Sequence, residues 1–481
     1  MKLLFTHSYF YRFDEKQWRI RQPYPPYGTM LAAAIMRNAG FDVAIYDSSL
    51  KEGPEGIKEL LEAFKPDFLV IFDDNFNYLS KMCLTVMRDA AFALIKYGKD
   101  AGCRILVNSS DATDHPELFL AAGADVVMLG ESEMTLLELL TNGIEQAELC
   151  KGIAIILNGQ LVKTGNRSQF KELDILPLPA WDLVDLLAYK KIWQDTHGYF
   201  SLNIATTRGC PFRCNWCAKP IYGNQYQSRS PQKVVEEIKL LMSEFGAEHF
   251  WVCDDIFGLK PGWVKTFSNL LAANHLRPKL KIQCRADLLL KEQTIDDLVA
   301  AGLDEVWIGA ESGSQKILDA MDKGTTVEQI YQATNLLKLK GVKVCFFLQY
   351  GYLGETKFDI DLTLKMVREL MPHDIGISVS YPLPKTGFYE KVKAQLQEKK
   401  NWTDSDDLAM LYHGTFAADF YRQLHRHTHY VFRQRNSVIN LKRILMAESL
   451  NFSTIKSAIK FPYLFMAEKV SRRKLNALEA R

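Results

Sequence analysis

No stretch of this chain approaches the roughly 20 consecutive apolar residues that a membrane-spanning helix needs, and no low-complexity run argues for disorder. The first residues do not read as a secretory leader, because a short apolar patch gives way at once to Asp14, Glu15 and Lys16. The density of a disulfide scaffold is missing too. Nine cysteines are spread over 481 residues, and those at 83, 103, 150, 253, 284 and 345 stand alone. A reducing, cytoplasmic setting is therefore expected. The net charge of +2 says little by itself. No basic module of the usual RNA-binding type is visible, so no nucleic-acid partner is expected.

What is present is a globular composition, 47% apolar and 24% charged, at a length that suggests two or three domains. The first 145 residues alternate short apolar strands (Lys2–Thr6, 43–46, Phe68–Phe72, 104–107, 126–129) with helices read at 28–38 and 79–99. This is the pattern of an α/β, doubly wound, Rossmann-like domain. Residues 146–199 read as a connector with a small hairpin around Asn158-Gly159 and a stiff, Pro-bearing stretch at 176–182. From 200 to 390 six further strands are expected, at 201–206, 248–253, 280–284, 304–310, 343–349 and 375–380, each followed by a helix. Six such units make a partial, TIM-like (β/α)6 barrel, whose chemistry belongs at the carboxyl ends of its strands. Residues 391–481 read as a helical, basic tail. From Tyr421 onward there are 13 Lys/Arg against 3 Asp/Glu. That tail is either a solvated cap or, through an amphipathic helix and its Lys/Arg excess, a contact for an anionic lipid surface or an acidic substrate. His425, His427 and His429 alternate by two, so a helix splays them apart and they do not read as a metal site.

The sharpest feature is Thr-Thr-Arg-Gly-Cys-Pro-Phe-Arg-Cys-Asn-Trp-Cys at 206–217, directly after the first barrel strand. Cys210, Cys214 and Cys217 can hold three irons of a cuboidal [4Fe–4S] cluster and leave the fourth open. An open iron can chelate the amino and carboxylate groups of S-adenosylmethionine, and one electron then splits a carbon–sulfur bond to give a 5′-deoxyadenosyl radical. A structural zinc site needs four ligands, and no fourth is evident nearby. In this spacing and position the chain resembles the radical S-adenosylmethionine superfamily over residues 200–390. Trp216, just before the last cysteine, can shield the cluster or stack on adenine, and the resemblance implies S-adenosylmethionine contacts from Asp254 and Asp255 after the second strand and from Arg285 after the third. It further implies Glu311 and Ser312 after the fourth and Gly351 after the fifth. It leaves the catalytic residues unassigned.

The N-terminal domain resembles the cobalamin-binding domain of the cobalamin-dependent members. Pro25-Pro26-Tyr27-Gly28 and Gly130-Glu131-Ser132-Glu133 carry the likeness, so Pro26, Gly28, Gly130 and Glu131, with Asn108 and Ser109 after the fourth strand, are implied cobalamin contacts. Two departures stand out. No Asp-x-His-x-x-Gly motif offers a lower cobalt ligand. Asn108-Ser109-Ser110-Asp111 also stands where relatives often carry Gly-Gly-Pro-His, placing side chains at Asn108 and Ser109 where backbone would approach the corrinoid. The second three-cysteine set of methylthiotransferases is absent, since Cys83, Cys103 and Cys150 are dispersed. The implied function is methylation of an unactivated carbon in a small metabolite or lipid-like precursor, with an electron donor such as flavodoxin or ferredoxin. The alternatives are an oxidative cyclase of the magnesium-protoporphyrin ester cyclase type and a non-catalytic iron–sulfur redox sensor.

Overall fold

Two sheets, mostly of parallel strands built from short apolar runs, organise the chain. The computed structural model describes residues 1–446 and 452–479. In the first sheet β1 (Lys2–Thr6), β2 (Asp42–Tyr46), β3 (Phe68–Phe72), β4 (Arg104–Asn108) and β5 (Val126–Met128) run parallel in the order 2-1-3-4-5. Central β3, Phe-Leu-Val-Ile-Phe, is buried at every position. The strand order reverses between β1 and β3, which places a crevice beyond their carboxyl ends.

Two segments differ from expectation. The hairpin of β6 (Ile153–Leu157) and β7 (Gln160–Lys163) turns through Asn158 and Gly159, both left-handed at φ +52° and +78°, as the tight hairpin turn requires. It pairs antiparallel with β5 and so forms the edge of the first sheet instead of lying in a free connector. The helix read over 79–99 is broken: a single 3-10 turn, Tyr78–Met82, ends at left-handed Cys83 (φ +52°), and the helix proper is Thr85–Asp100. Tertiary contacts override propensity here. The Thr85 N–H donates to the Trp402 carbonyl at 2.9 Å, and Asn401 Nδ2 donates to the Cys83 carbonyl at 2.9 Å.

The second sheet begins at β8 (Ser201–Ile204), followed by a small ribbon, β9 (Thr207–Arg208) against β10 (Gln227–Ser228). It continues through β11 (His249–Val252), β12 (Lys279–Cys284), β13 (Leu303–Glu311), β14 (Lys343–Tyr350) and β15 (Asp374–Val379). The six long strands lie in sequence order, each parallel to the next, as an open (β/α)6 half-barrel. Capping boxes at Thr326 and Thr356 start two of its outer helices. β8 ends at Ile204, two residues before the expected 206, because Thr206 turns its N–H and hydroxyl to Asp254 on the way into the ribbon.

Beyond β15 the chain returns to the first domain. The helix Ala418–Leu445 then buries Phe420, Tyr421, Leu424 and Val431, and Phe461–Glu479 packs back along it. Among the described residues no helix is long and apolar enough to cross a membrane.

The two sheets share one core and one buried charge cluster. Arg208, on the ribbon, reaches Glu131 and Glu133 beyond β5, with Nη2 2.7 Å from Glu133 and all three side chains less than a tenth exposed. Burial disfavours the guanidinium charge, but Glu133, Tyr222 and Glu131 outweigh it and hold the proton more firmly than in free arginine. Arg208→Ala leaves two buried carboxylates facing each other. The expected cost is about 3–5 kcal/mol, read as a lower urea midpoint than that of the wild-type protein.

Candidate functional site

The cysteine loop is fastened at its root before it presents any thiol. Asp254, at the tip of β11, accepts the Thr206 N–H at 2.7 Å, the Thr207 N–H at 3.0 Å and the Thr206 hydroxyl. Burial lifts its carboxyl to about 6 against the pull of those donors. Asp254 is 1% exposed, so its oxygens are spent holding the loop, a different role from the cofactor contact expected of it. Gly209 follows at φ +75°, where a Cβ would stand 2.1 Å from the Gln225 carbonyl and 2.7 Å from that of Tyr222. Only glycine fits. Lys219 then caps the carbonyls of Cys210 (2.9 Å) and Phe212.

Asn215 locks the far side of the loop. Its amide donates to the Ala320 carbonyl at 2.8 Å and to Asp322 at 2.7 Å, its side-chain oxygen accepts from the Tyr352 hydroxyl at 2.7 Å, and its own carbonyl accepts the Phe388 N–H at 2.8 Å. Cys210, Cys214 and Cys217 are half-buried free thiols. Burial raises the first, and burial together with Asp255 pushes Cys217 up to about 12. Among the described residues no three Cys, His, Asp or Glu side chains already stand in metal-ligating geometry.

Arg285, Glu311 and Trp216 stand together around this loop. The Arg285 guanidinium lies 3.7 Å from the Phe212 ring centroid and 3.9 Å from the Cys214 sulfur, with Asp287 at 2.9 Å and the Lys323 carbonyl at 2.6 Å. Glu311, at φ +56°, pairs with Lys323 at 2.8 Å, both less than a tenth exposed. Burial opposes the Lys323 charge, but Glu311 and Cys214 raise its affinity for the proton. Lys323 also stands 6.0 Å from the Trp216 ring. The Trp216 indole N–H is buried without a partner. Three thiols, two cations and an orphaned donor around one loop fit an iron–sulfur cluster with a zwitterionic cofactor beside it.

Ser312 points elsewhere, with its hydroxyl 3.1 Å from that of Thr363 and accepting the Ser314 N–H. Asp255 is ion-paired with Lys81 of the first domain. Gly351 (φ +81°) lies under Met410 and Tyr421, and its N–H donates to Glu355 at 2.6 Å. The sequence gives no role to Lys81, Arg208, Lys323 or Asn215, and it marks Glu355 only as a member of the Gly354-Glu355-Thr356 motif after the fifth strand. Arg208 and Asn215 have a signal in their adjacency to the cysteines; Lys81 and Lys323 have none.

The second candidate region is the rim beyond the first sheet. Pro26 starts the helix Tyr27–Asn38, and a Cβ on Gly28 would meet Asp74 at 3.2 Å. Asn108 donates to the Met128 and Gly130 carbonyls and to Ser132, and accepts from Asn75. Ser109 caps the helix after β4, Gly130 (φ +67°) donates to Thr113, and Glu131 also accepts the Phe170 N–H. Those side chains bind one another. Four buried polar atoms without partners remain on loops leaving β1, β3 and β4: His7 Nδ1, the Tyr9 hydroxyl, Asn75 Oδ1 and Ser110 Oγ. Their chemistry fits an amide-rich ligand such as cobalamin. The space is narrow, because Ser8 bridges to Asp73 at 2.7 and 2.8 Å and Arg88 to Asp111 at 2.7 Å.

Residues 204–367 match the radical SAM superfamily. The chain is 26% identical over 404 residues to an uncharacterised methyltransferase of Pyrococcus horikoshii, covering 81% of this chain and 84% of that protein. It is 24% identical to an anaerobic magnesium-protoporphyrin IX monomethyl ester cyclase of Rubrivivax gelatinosus, covering 82% and 70%. Among solved structures, the radical S-adenosylmethionine methyltransferase TsrM of Kitasatospora setae, with cobalamin and a [4Fe–4S] cluster bound, superposes at a TM-score of 0.67. Its identity is 18%, over 82% of this chain and 74% of TsrM. The cobalamin-dependent radical enzyme OxsB superposes at 0.72 and 16% identity, over 98% and 71%. The architecture is thus that of the cobalamin-dependent radical enzymes.

Gly209→Ala forces the loop off the Gln225 carbonyl at a cost of about 1–3 kcal/mol. The expected result is a folded protein by circular dichroism that takes up far less iron and sulfide on anaerobic reconstitution. A pH effect follows from Glu355, whose carboxyl burial raises to about 8, offset in part by the Gly351 N–H. Its native proton is held across the window from the ordinary carboxylate range to about 8, while the unfolded chain releases it. Stability therefore falls as pH rises through that window, by up to about 1.4 kcal/mol per unit. Glu355→Gln removes this dependence, so urea midpoints at about pH 5 and about pH 8.5 should converge on the wild type at the acid end and exceed it at the alkaline end.

Proposed function

We propose that this chain, a radical S-adenosylmethionine enzyme through its domain at residues 204–367, methylates an unactivated carbon of a small or lipid-like molecule with cobalamin as methyl carrier. The observation that carries the reading is the gathering of Arg285, the Lys323–Glu311 pair and the orphaned Trp216 donor around the three-cysteine loop. Relatives named methyltransferases and the cobalamin-bound structural neighbours support it.

Cys210, Cys214 and Cys217 would hold the cluster, and the rim around His7, Asn75, Asn108 and Ser110 would hold the corrinoid. Bound [4Fe–4S] supplies one-electron cleavage of S-adenosylmethionine to a 5′-deoxyadenosyl radical, and bound cobalamin supplies methyl carriage. The chain's own part is positioning. Arg285 would meet the methionyl carboxylate and Glu311 its amino group, while Lys219 and Asn215 keep the loop from opening. Gly351, walled by Met410 and Tyr421, offers a side-chain-free surface for adenine. Nine free thiols support a reducing compartment, with a small redox protein as electron donor.

A second reading, oxidative cyclisation, is favoured by the relatives named cyclases. Reconstituted protein given dithionite and methyl-deuterated S-adenosylmethionine should form 5′-deoxyadenosine, and Cys214→Ala should lower this by about a hundredfold or more. Deuterium in the isolated product supports methylation. An oxidised product without deuterium assigns the chain to the cyclases, and absence of 5′-deoxyadenosine overturns both.

A further inference from the structure

The C-terminal helices leave one face that neither domain uses. Leu464, Glu468, Ser471 and Leu475, spaced by four, three and four residues, form the buried edge of Phe461–Glu479 against Ala418–Leu445. On the opposite side Ile459, Tyr463, Met466 and Val470 repeat the same spacing, and they are 74, 65, 59 and 47% exposed. Residues at that spacing fall within one narrow arc of a helix. The Leu464 N–H donates to the Lys460 carbonyl at 2.9 Å, so the turn at 460 carries the row from Ile459 into the longer helix. The row runs about 16 Å along the axis, at 1.5 Å per residue. Scattered exposed apolar residues need no explanation, but a contiguous row does.

The charges around the row point to its occupant. Lys460, Lys469, Arg473 and Lys474 are exposed along its flanks and at its end. Lys469 lies 4.2 Å from the Phe465 ring, to one side of the row. Glu468, one of two acidic residues in Phe461–Glu479, is turned inward and paired with Arg472. Apart from Glu479 near its end, the outward side of this helix thus carries positive charge beside bulky apolar groups. A helix of this kind lies in a bilayer interface with its apolar row among acyl chains and its cations at anionic headgroups. We propose that the row Ile459–Val470 seats the enzyme on an anionic lipid surface.

The test uses the full-length protein and vesicles of phosphatidylcholine with and without phosphatidylglycerol. Co-sedimentation is expected with the anionic vesicles and should weaken as salt is raised. Replacing Ile459, Tyr463, Met466 and Val470 together by serine, or Lys469, Arg473 and Lys474 by glutamate, should each lower binding by about tenfold or more. Both variants should stay folded by circular dichroism and keep wild-type iron content, since the replaced groups are exposed and the serine variant gives up only the side-chain bond between Tyr463 and Tyr430. Failure of the wild type to bind, or binding that neither variant changes, overturns the proposal. So does light scattering that shows a dimer converted to monomer by the serine variant, because the row would then be an interface between two copies.

Discussion

Arg208 lies between Glu131 and Glu133 in a space almost closed to water, and the residue after it begins the turn into the first cysteine. A charge in that position is tolerable only with both partners present. The last parallel strand of the first sheet and the cysteine loop of the half-barrel therefore cannot separate without exposing or orphaning three charges. Lys81 with Asp255 repeats the device on the other side of the same loop. The loop belongs to the barrel by sequence but is held from both domains, so the site is an interdomain structure.

A second consequence concerns polar groups at the strand ends. In an open α/β sheet the carboxyl ends are where ligands bind, and they are also where unpaired backbone N–H groups emerge. Asp254 satisfies two such N–H groups from Thr206 and Thr207. Ser312 and Thr363 join a strand end to the helix that covers it. At Arg285 and Glu311 the same competition ends differently. Their charged ends reach the cysteines or the buried lysine beside them, because each leaves its strand toward the loop and not toward the outer helices.

The repeat of strand and helix was readable in the sequence because the six barrel strands are neighbours in order, so each apolar run marks one strand and its place. The three cysteines were readable because their spacing is local. What sequence left hidden depends on partners far along the chain. The break at Cys83 follows from pairing with residues 401–403, more than 300 positions away. The edge role of the hairpin depends on which strand it meets. Lys323 looks like an ordinary surface charge until the fold buries it. Asn108 shows the reverse: read as an obstacle to a ligand, it is a four-way tie between strand ends.

Charge distribution joins these local arrangements to the molecule as a whole. The tail from Tyr421 carries a balance of +10 and the rest of the chain −8. The near-zero total thus hides a separation of sign along the molecule. An anionic surface attracts the tail and repels the body, and both effects act within a Debye length of about 8–10 Å at physiological salt. Attraction alone would permit many orientations. Repulsion of the acidic body narrows them, and the apolar row on Phe461–Glu479 would set depth as well as direction. The inward turn of Glu468 serves both ends: it neutralises Arg472 against the core and leaves the outer face basic.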